Sequence, residues 1–152
     1  MIKKLFNSIL IWVFTVNPVS RIIHHMQTRT LYSVIESRTH PYLTPLYDKL
    51  GLEETCFKSM RKLISKIKQE KPDYIAAEFF YGYGNNYAGV NLSNLDVMLY
   101  TLQRYSPETR VIVFVDKKER KFVDKLAAIF PLYAIFIMPV DQAQLVKVLT
   151  EK

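Results

Sequence analysis

The side chains best suited to bind a partner follow an apolar run near the middle of the chain. Residues 74–81 are apolar except for Glu78, and residues 82–91 read GYGNNYAGVN. Aromatic and amide side chains in this loop offer flat faces and neutral hydrogen-bonding groups, which suit a protein partner or a planar ligand. These candidates are Tyr83, Asn85, Asn86, Tyr87 and Asn91. The loop completes neither a P-loop nor a dinucleotide-binding fingerprint. Three interpretations therefore stay open: a protein contact, a small ligand or nucleotide as the alternative, and a loop that binds no ligand.

The other reactive residue types form no catalytic or metal-binding pattern. His24 and His25 are adjacent, which directs them to different faces of a helix or strand, and His40 precedes a proline. Cys56 is the only cysteine, so it cannot form an internal disulfide. Its place in a predicted strand favours a core position over a nucleophile. The sequence therefore predicts no catalytic residue, no metal site and no cofactor.

An alternation of strands and helices must position these residues. The chain has 152 residues, 49% of them hydrophobic, which is enough for the core of one domain and excludes a disordered chain. Apolar or β-branched runs predict strands at residues 30–35, 55–57, 74–81, 111–115 and 133–138. Helices are predicted at residues 41–50, 59–70, 93–105, 117–130 and from 141 onward, with Ser59, Ser93 and Asp141 as caps. This order predicts a five-stranded parallel sheet with helices on both faces.

Three passages in this region follow the pattern of one protein family. Residues 71–78, KPDYIAAE, are similar to a strand that ends on a phosphoacceptor aspartate. Residues 109–116, TRVIVFVD, are similar to a strand that normally ends in Thr or Ser, and residues 137–145, IMPVDQAQL, to a Lys-Pro passage before the last helix. Residues 29–151 thus resemble the receiver domain of response regulators, which has a flavodoxin-like fold. The resemblance implies a signalling domain with a protein partner.

The residues that this family uses for phosphorylation are replaced here. The resemblance places Glu78 at the phosphoacceptor, Val115 at the hydroxyl and Met138 at the lysine. Only Glu36 remains of the acids that hold Mg²⁺ after the first strand. We therefore predict a pseudo-receiver, a non-catalytic regulatory domain that binds a protein. Glu78 is either a fixed carboxylate that imitates the phosphorylated state or a strand-end residue that reaches water, and the second interpretation is favoured.

The first 28 residues form a separate hydrophobic and basic leader. An apolar run follows two lysines, and the residues expected to meet a membrane surface are Lys3, Lys4, Trp12, Phe14 and Arg21. The profile is that of a signal peptide, but the run is short for a membrane span and lacks a good cleavage site. A surface anchor with basic residues on anionic lipid fits it, and a hydrophobic helix packed on its own domain or on a second copy is the alternative.

The net charge of +7 supports this division of the chain. Residues 1–28 carry +3, residues 29–72 carry +4, and residues 73–152 are neutral. An anionic partner is therefore expected on the N-terminal side, and lipid is favoured over nucleic acid. We place the receiver-like domain at residues 29–152 and expect a cytoplasmic protein, held at the inner face of the membrane if the leader is an anchor. Secretion and a homodimer stay open.

Overall fold

Five strands and five α-helices alternate along the part of the chain that the computed structural model describes, residues 28–82 and 91–151. The strands are β1 (Arg29–Val34), β2 (Leu52–Phe57), β3 (Tyr74–Glu78), β4 (Arg110–Val115) and β5 (Ala134–Ile137). The helices are α1 (Thr44–Lys49), α2 (Met60–Ile67), α3 (Asp96–Tyr105), α4 (Arg120–Val123) and α5 (Gln142–Thr150). A 3-10 helix (Asp124–Ala128) continues α4.

The strands form one parallel sheet in the order β2-β1-β3-β4-β5. Buried side chains of α2, α3 and α4 pack on one face, and those of α1 and α5 pack on the other. The predicted fold class is thereby confirmed. The predicted N-terminal hydrophobic helix lies outside the described residues.

The central strands read as continuous apolar runs because both of their faces are covered. In β4, Val111 and Val113 face α2, α3 and α4, whereas Ile112 and Phe114 face α1 and α5, and all four are fully buried. Successive side chains of a strand point to opposite faces, so each face of the sheet receives every second residue. The pattern seen in the sequence is therefore the pattern that a sheet between two helical layers requires.

Two of the three predicted helix caps are confirmed. The Ser59 hydroxyl accepts a hydrogen bond from the Lys62 backbone N–H at 3.4 Å, and the Asp141 carboxylate accepts from the N–H groups of Ala143 and Gln144. Such caps satisfy backbone donors that have no partner inside the helix. The helix after Ser93 instead begins at Asp96, so the cap predicted at Ser93 is wrong.

Several element bounds differ from the prediction because loops extend farther than the apolar pattern indicates. The helix predicted at 41–50 begins at Thr44, where Pro45 occupies its first turn. The helix predicted at 117–130 is divided into α4 and the 3-10 helix, and the strand predicted at 74–81 ends at Glu78. Residues 35–43, between the end of β1 and the start of α1, therefore form a loop.

The core position predicted for Cys56 is wrong, since its side chain is exposed. Strand β2 lies at the edge of the sheet, and α1 is only six residues long. A short helix covers only part of an edge strand, which leaves the end of β2 at the surface. Within residues 28–82 and 91–151, no helix has the length and apolar character needed to cross a membrane.

Candidate functional site

The candidate site lies at the carboxyl edge of the sheet, where β1 and β3 are neighbours. The chain leaves β1 toward β2 on one side and reaches β3 on the other side. In open α/β sheets such a reversal of strand order creates a crevice outside the strand ends, and ligands bind there. Glu78, the last residue of β3, lies at this point in register with Phe114 of β4.

The Glu78 carboxylate is buried and held by the backbone of the loop after β1. Its side chain is only 6% exposed. Its Oε2 atom accepts hydrogen bonds from the N–H groups of Ser37 at 2.8 Å and Glu36 at 3.1 Å. A buried carboxylate requires such donors to offset its lost hydration. The prediction that Glu78 reaches water is therefore wrong, because loop 35–43 folds over the strand end and supplies donors that no sequence pattern reveals.

Asn94 holds the strand end from the other side, and the sequence analysis missed it. Its Oδ1 accepts from the Phe80 N–H at 2.9 Å, and its Nδ2 donates to the Glu78 carbonyl at 2.8 Å. One amide side chain thus pairs with a donor and an acceptor of the segment that leaves β3. The only signal in the sequence is an asparagine shortly after a glycine-rich loop, which is a common place for such bonds.

Asp96 fixes the point where the chain returns from the loop to α3. Its buried carboxylate accepts from the N–H groups of Leu92 at 2.6 Å and Ser93 at 2.9 Å, and from the Ser93 hydroxyl at 2.7 Å. The Ser93 hydroxyl in turn accepts from the Leu95 N–H at 3.1 Å. Ser93 therefore orders the turn before α3 together with Asp96, which explains why it does not act alone as the helix cap.

The two ends of the glycine-rich loop are paired. Gly82 has a φ angle of +68°, a conformation that glycine adopts without strain, and its N–H donates to the Leu92 carbonyl at 2.8 Å. Tyr81 and Ser93 form an isolated antiparallel bridge. The Tyr81 ring stacks on Phe122 of α4 with a centroid distance of 3.7 Å. The loop is therefore anchored at both ends and joined to the α4 region.

Most of the predicted loop and leader residues cannot be compared with the structure. Four of the five loop residues and all five leader residues lie outside the described residues; they are Tyr83, Asn85, Asn86, Tyr87, Lys3, Lys4, Trp12, Phe14 and Arg21. Asn91 is described and is half-buried. The structure thus locates the frame of the predicted site, while its central residues stay a prediction.

An open cleft of about 390 Å³ lies beside Glu78, and we call it the Glu78 cleft. Its lining residues are Ser37, Thr39, Glu78, Phe79, Phe80, Asp116, Lys118, Glu119 and Met138. The set contains three carboxylates and one ammonium group, so its formal charge is negative. Met138 lines the cleft, whereas Val115 is fully buried in the core. The arrangement suits a cationic or neutral group better than a phosphate.

The acids at this edge do not fit the Mg²⁺ site that the receiver family implies. Mg²⁺ requires a near-octahedral set of oxygen ligands at about 2.0–2.1 Å. The Glu36 side chain is exposed, and Glu78 already accepts two backbone hydrogen bonds. Among the residues that the structure describes, no three His, Cys, Asp or Glu side chains are grouped to hold a metal ion.

His40 is a further residue of this edge that the sequence analysis did not select. Its ring meets the Phe114 ring edge-on, with centroids 4.7 Å apart. Burial lowers the pKa of His40 from its ordinary value, and the negative charges of Glu78 and Glu54 oppose this shift. Its Nδ1 atom is buried and has no hydrogen-bond partner within the described part of the chain. His40 therefore stands as a neutral group between two carboxylates.

The amino edge of the sheet also has a polar cavity, of about 340 Å³, but both of its arginines form hydrogen bonds within the fold. The Arg29 guanidinium donates to the carbonyls of Leu149 at 2.8 Å and Leu50 at 3.1 Å, at the ends of α5 and α1. Cations favour helix C-termini because unpaired carbonyls accumulate there. Arg110 donates to the Tyr74 hydroxyl at 2.9 Å. This edge therefore has a structural role.

Solved structures of response-regulator receiver domains share this fold. A receiver domain from Clostridium thermocellum has a TM-score of 0.58 and 16% identity, over 80% of this chain and 90% of that one. A response regulator from Thermotoga maritima has a TM-score of 0.61 and 17% identity, over 82% of this chain and 99% of that one. A Burkholderia pseudomallei response regulator with a phosphorylated aspartic acid, calcium ion and citrate has a TM-score of 0.57 and 12% identity. The match covers 80% of this chain and 66% of that one.

No protein-family model and no curated protein sequence matches the chain. The similarity to the solved structures, at 12–17% identity, lies in the fold. The described domain therefore has the flavodoxin-like fold of a receiver domain, which confirms the resemblance found in the sequence. Function must be argued from the site, because one fold supports many functions.

Proposed function

We propose that this chain is a receiver-like regulatory domain that binds a protein partner and does not accept a phosphoryl group. The observation that carries the proposal is the state of Glu78, which is buried and accepts hydrogen bonds from two backbone N–H groups. A phosphoacceptor carboxylate attacks phosphorus beside a bound metal ion, and no three metal-binding side chains are grouped among the described residues. Glu78 instead uses its charge to hold the loop after β1.

The other substituted positions support the same conclusion. Met138 offers the cleft no cation that could neutralise a phosphoryl group, and Val115 offers no hydroxyl. Phosphodonors are anions, and the excess of carboxylates in the Glu78 cleft repels them. We infer that the domain holds a single signalling state.

The proposed contact surface comprises residues 82–91 and the apolar side chains exposed near it. Tyr100 and Val97 on α3 are 55% and 50% exposed, and Tyr81 at the start of the loop is 46% exposed. Exposed aromatic and aliphatic side chains are the usual anchors of protein interfaces. Receiver domains generally act by contacting other proteins, and this surface adjoins the edge of the sheet where Glu78 lies.

A phosphorylation assay tests the first half of the proposal. The full chain is incubated with Mg²⁺ and phosphoramidate, and a competent receiver domain is treated in parallel as the control. We expect the intact mass of this chain to stay unchanged while the control gains a phosphoryl group. An acyl phosphate on Glu78 or on any other acid of the cleft would overturn the proposal.

A binding comparison tests the second half. Partners are recovered from native cells with the wild-type chain, with Tyr100→Glu and with Tyr42→Glu, which places the same change on another exposed tyrosine. We expect Tyr100→Glu to lower recovery of a specific partner roughly tenfold, because a buried anchor would become a charge. Equal recovery by all three proteins would contradict the proposed surface.

Binding of a small ligand in the Glu78 cleft is the second candidate function. The observation that favours it is the open volume of about 390 Å³ at the carboxyl edge. Its charge disfavours nucleotides, so we expect ATP with Mg²⁺ to give no saturable NMR shifts at Glu78 or Lys118. Saturable shifts at both residues would make nucleotide binding the better proposal.

We also propose that residues 1–27 attach the domain to anionic lipid. The support is the composition of the segment, whose lysines and Trp12 suit the headgroup region. The full chain and a variant without residues 1–27 are compared for sedimentation with vesicles that contain phosphatidylglycerol. We expect deletion to lower binding roughly a hundredfold, at about 1 kcal/mol for each of three basic residues near the surface. Equal binding by the two proteins would contradict the anchor.

A further inference from the structure

A second cleft, of about 310 Å³, lies between the carboxyl ends of β1 and β2 and the start of α1. We call it the Glu54 cleft. Ser37 lines both clefts, so they are neighbours on the same edge of the sheet. Part of its wall is apolar and includes Ile35, Leu43 and Phe57. The volume lies at the lower end of the about 300–1,000 Å³ that ligand pockets have, which suits a small molecule.

The polar side of this cleft is built around Glu54. The Ser33 hydroxyl donates to its Oε1 at 2.6 Å, and the Thr44 hydroxyl donates to its Oε2. The two donors belong to β1 and α1, and they fix the carboxylate of the β2 residue in one orientation. Each carboxylate oxygen retains capacity for a further donor, since an ionised carboxylate accepts about four hydrogen bonds.

Glu54 has no cationic partner within the described residues. The ion pairs found there join Lys66 to Glu70 and Arg120 to Asp124, both on the surface. Lys58 also lines the cleft, but it forms no ion pair with Glu54. A half-buried carboxylate held only by neutral donors beside apolar walls attracts a cation more strongly than one in open water does. The Glu54 carboxylate therefore offers a position for the cation of a ligand.

The other titratable groups of the cleft do not compete for that position. Burial lowers the pKa of His40, which leaves a neutral ring with an unpartnered Nδ1 atom. Burial raises the pKa of the Cys56 thiol, which keeps a second anion from forming beside Glu54. Burial and the charge of Glu54 also raise the pKa of Tyr47. Glu54 is thus the acid that fixes the charge preference of this cleft.

We infer that the Glu54 cleft binds a small, mainly apolar molecule that carries one protonated amine. The ammonium group donates to the Glu54 carboxylate, and the apolar body packs against the wall formed by Ile35, Leu43 and Phe57. This site differs from the contact surface near residues 82–91, and the inference does not rest on the proposed function.

Cys56 provides a direct measurement, because it is the only cysteine, is exposed and lines the cleft. A ligand in the cleft slows its reaction with a disulfide reagent. The probes are benzylamine, benzyl alcohol and phenylacetate, which place a cationic, a neutral or an anionic group on one ring. We expect benzylamine to slow the reaction in a saturable manner and the other two to have little effect at equal concentration.

A matched pair of variants assigns the effect to Glu54. Glu54→Gln keeps the shape and removes the charge, and we expect it to weaken benzylamine protection at least about tenfold. Glu53→Gln makes the same change at the adjacent, exposed position of β2 and should leave protection unchanged. Protection is taken as the ratio of rates with and without probe in each variant, because the charge of Glu54 itself raises the pKa of Cys56.

Three outcomes would overturn the inference: no protection by benzylamine, equal protection by all three probes, or equal affinity in folded Glu54→Gln and wild type. If Glu54→Gln does not fold, backbone amide shifts of the wild-type chain during a benzylamine titration provide the test. We expect saturable shifts at Ser33, Thr44 and Cys56. Shifts confined to other regions would overturn the inference.

Discussion

Glu78 and Glu54 line neighbouring clefts but are held by different kinds of donor. Glu78 accepts hydrogen bonds from two backbone N–H groups of the loop after β1. Glu54 accepts from the hydroxyls of Ser33 and Thr44. A backbone N–H in an ordered loop cannot turn to water, whereas a hydroxyl rotates freely. Glu78 is therefore part of the framework of the fold, while Glu54 can exchange its partners for a ligand.

This comparison separates two uses of a carboxylate. In the Glu78 cleft the carboxylate binds the backbone of the loop after β1. In the Glu54 cleft the carboxylate can still bind a cationic ligand, although no motif of the family includes this residue. A resemblance in fold thus indicates where activity is expected, and the hydrogen-bond donors decide whether the expected residue is free to act.

The largest expected effect separates the two glutamates by stability. Glu78→Ala leaves two N–H groups without their acceptor, so we expect the free energy of unfolding to fall by about 3 kcal/mol. Glu54→Ala leaves hydroxyls that can turn to water, and we expect a loss of about 1 kcal/mol. Urea denaturation of both variants measures the difference. Equal losses would contradict the distinction between backbone and hydroxyl donors.

Asn94 tests whether the frame around Glu78 extends to the far side of β3. Asn94→Ala removes two hydrogen bonds, to the Phe80 N–H and to the Glu78 carbonyl, and we expect a loss of about 1–2 kcal/mol. Asn91→Ala, the same change at a half-buried position near the end of the loop, serves as the control and should cost no more than about 0.5 kcal/mol. If the two variants unfold at the same urea concentration, Asn94 does not hold the strand end.

The smallest expected effect is a dependence of stability on pH through His40, which lies between the two glutamates. Burial lowers its pKa below the ordinary value of 6.5, so the unfolded chain binds a proton more readily than the folded one. Stability is therefore complete above about pH 6.5 and falls as the pH decreases toward the folded pKa. We expect His40→Gln to lose less stability than wild type between about pH 7 and 5. Thermal denaturation of both proteins at the two pH values measures the difference. Equal falls in melting temperature for wild type and His40→Gln would contradict this expectation.

Much of the framework could be predicted because local physics specifies it. The run at 111–115 is apolar at every position, as a strand covered on both faces must be, and Ser59 and Asp141 precede helices that need caps. The resemblance likewise predicted that Glu78, Val115 and Met138 stand at the family's functional positions, and this assignment stays a prediction. These features depend on residue type and spacing along the chain, which the sequence contains in full.

The surroundings of individual side chains could not be predicted in the same way. Glu78 was expected in water and is buried, because loop 35–43 closes over it. Cys56 was expected in the core and is exposed, because α1 is short. Ser93 was expected as a helix cap and instead orders a turn with Asp96. Each case depends on where a distant segment or a loop comes to rest.

The amino-acid sequence by itself determined an alternating α/β domain with a five-stranded parallel sheet, because hydrophobic periodicity and caps act over short distances. It also led to the prediction of a pseudo-receiver, which stays a prediction. Only the tertiary structure decided that Glu78 is bound by the backbone and that Glu54 lines a second cleft and forms no ion pair among the described residues. Those relations join β1, β2, β3 and the loop after β1, and they arise only when the strands pair and the loop closes over their ends.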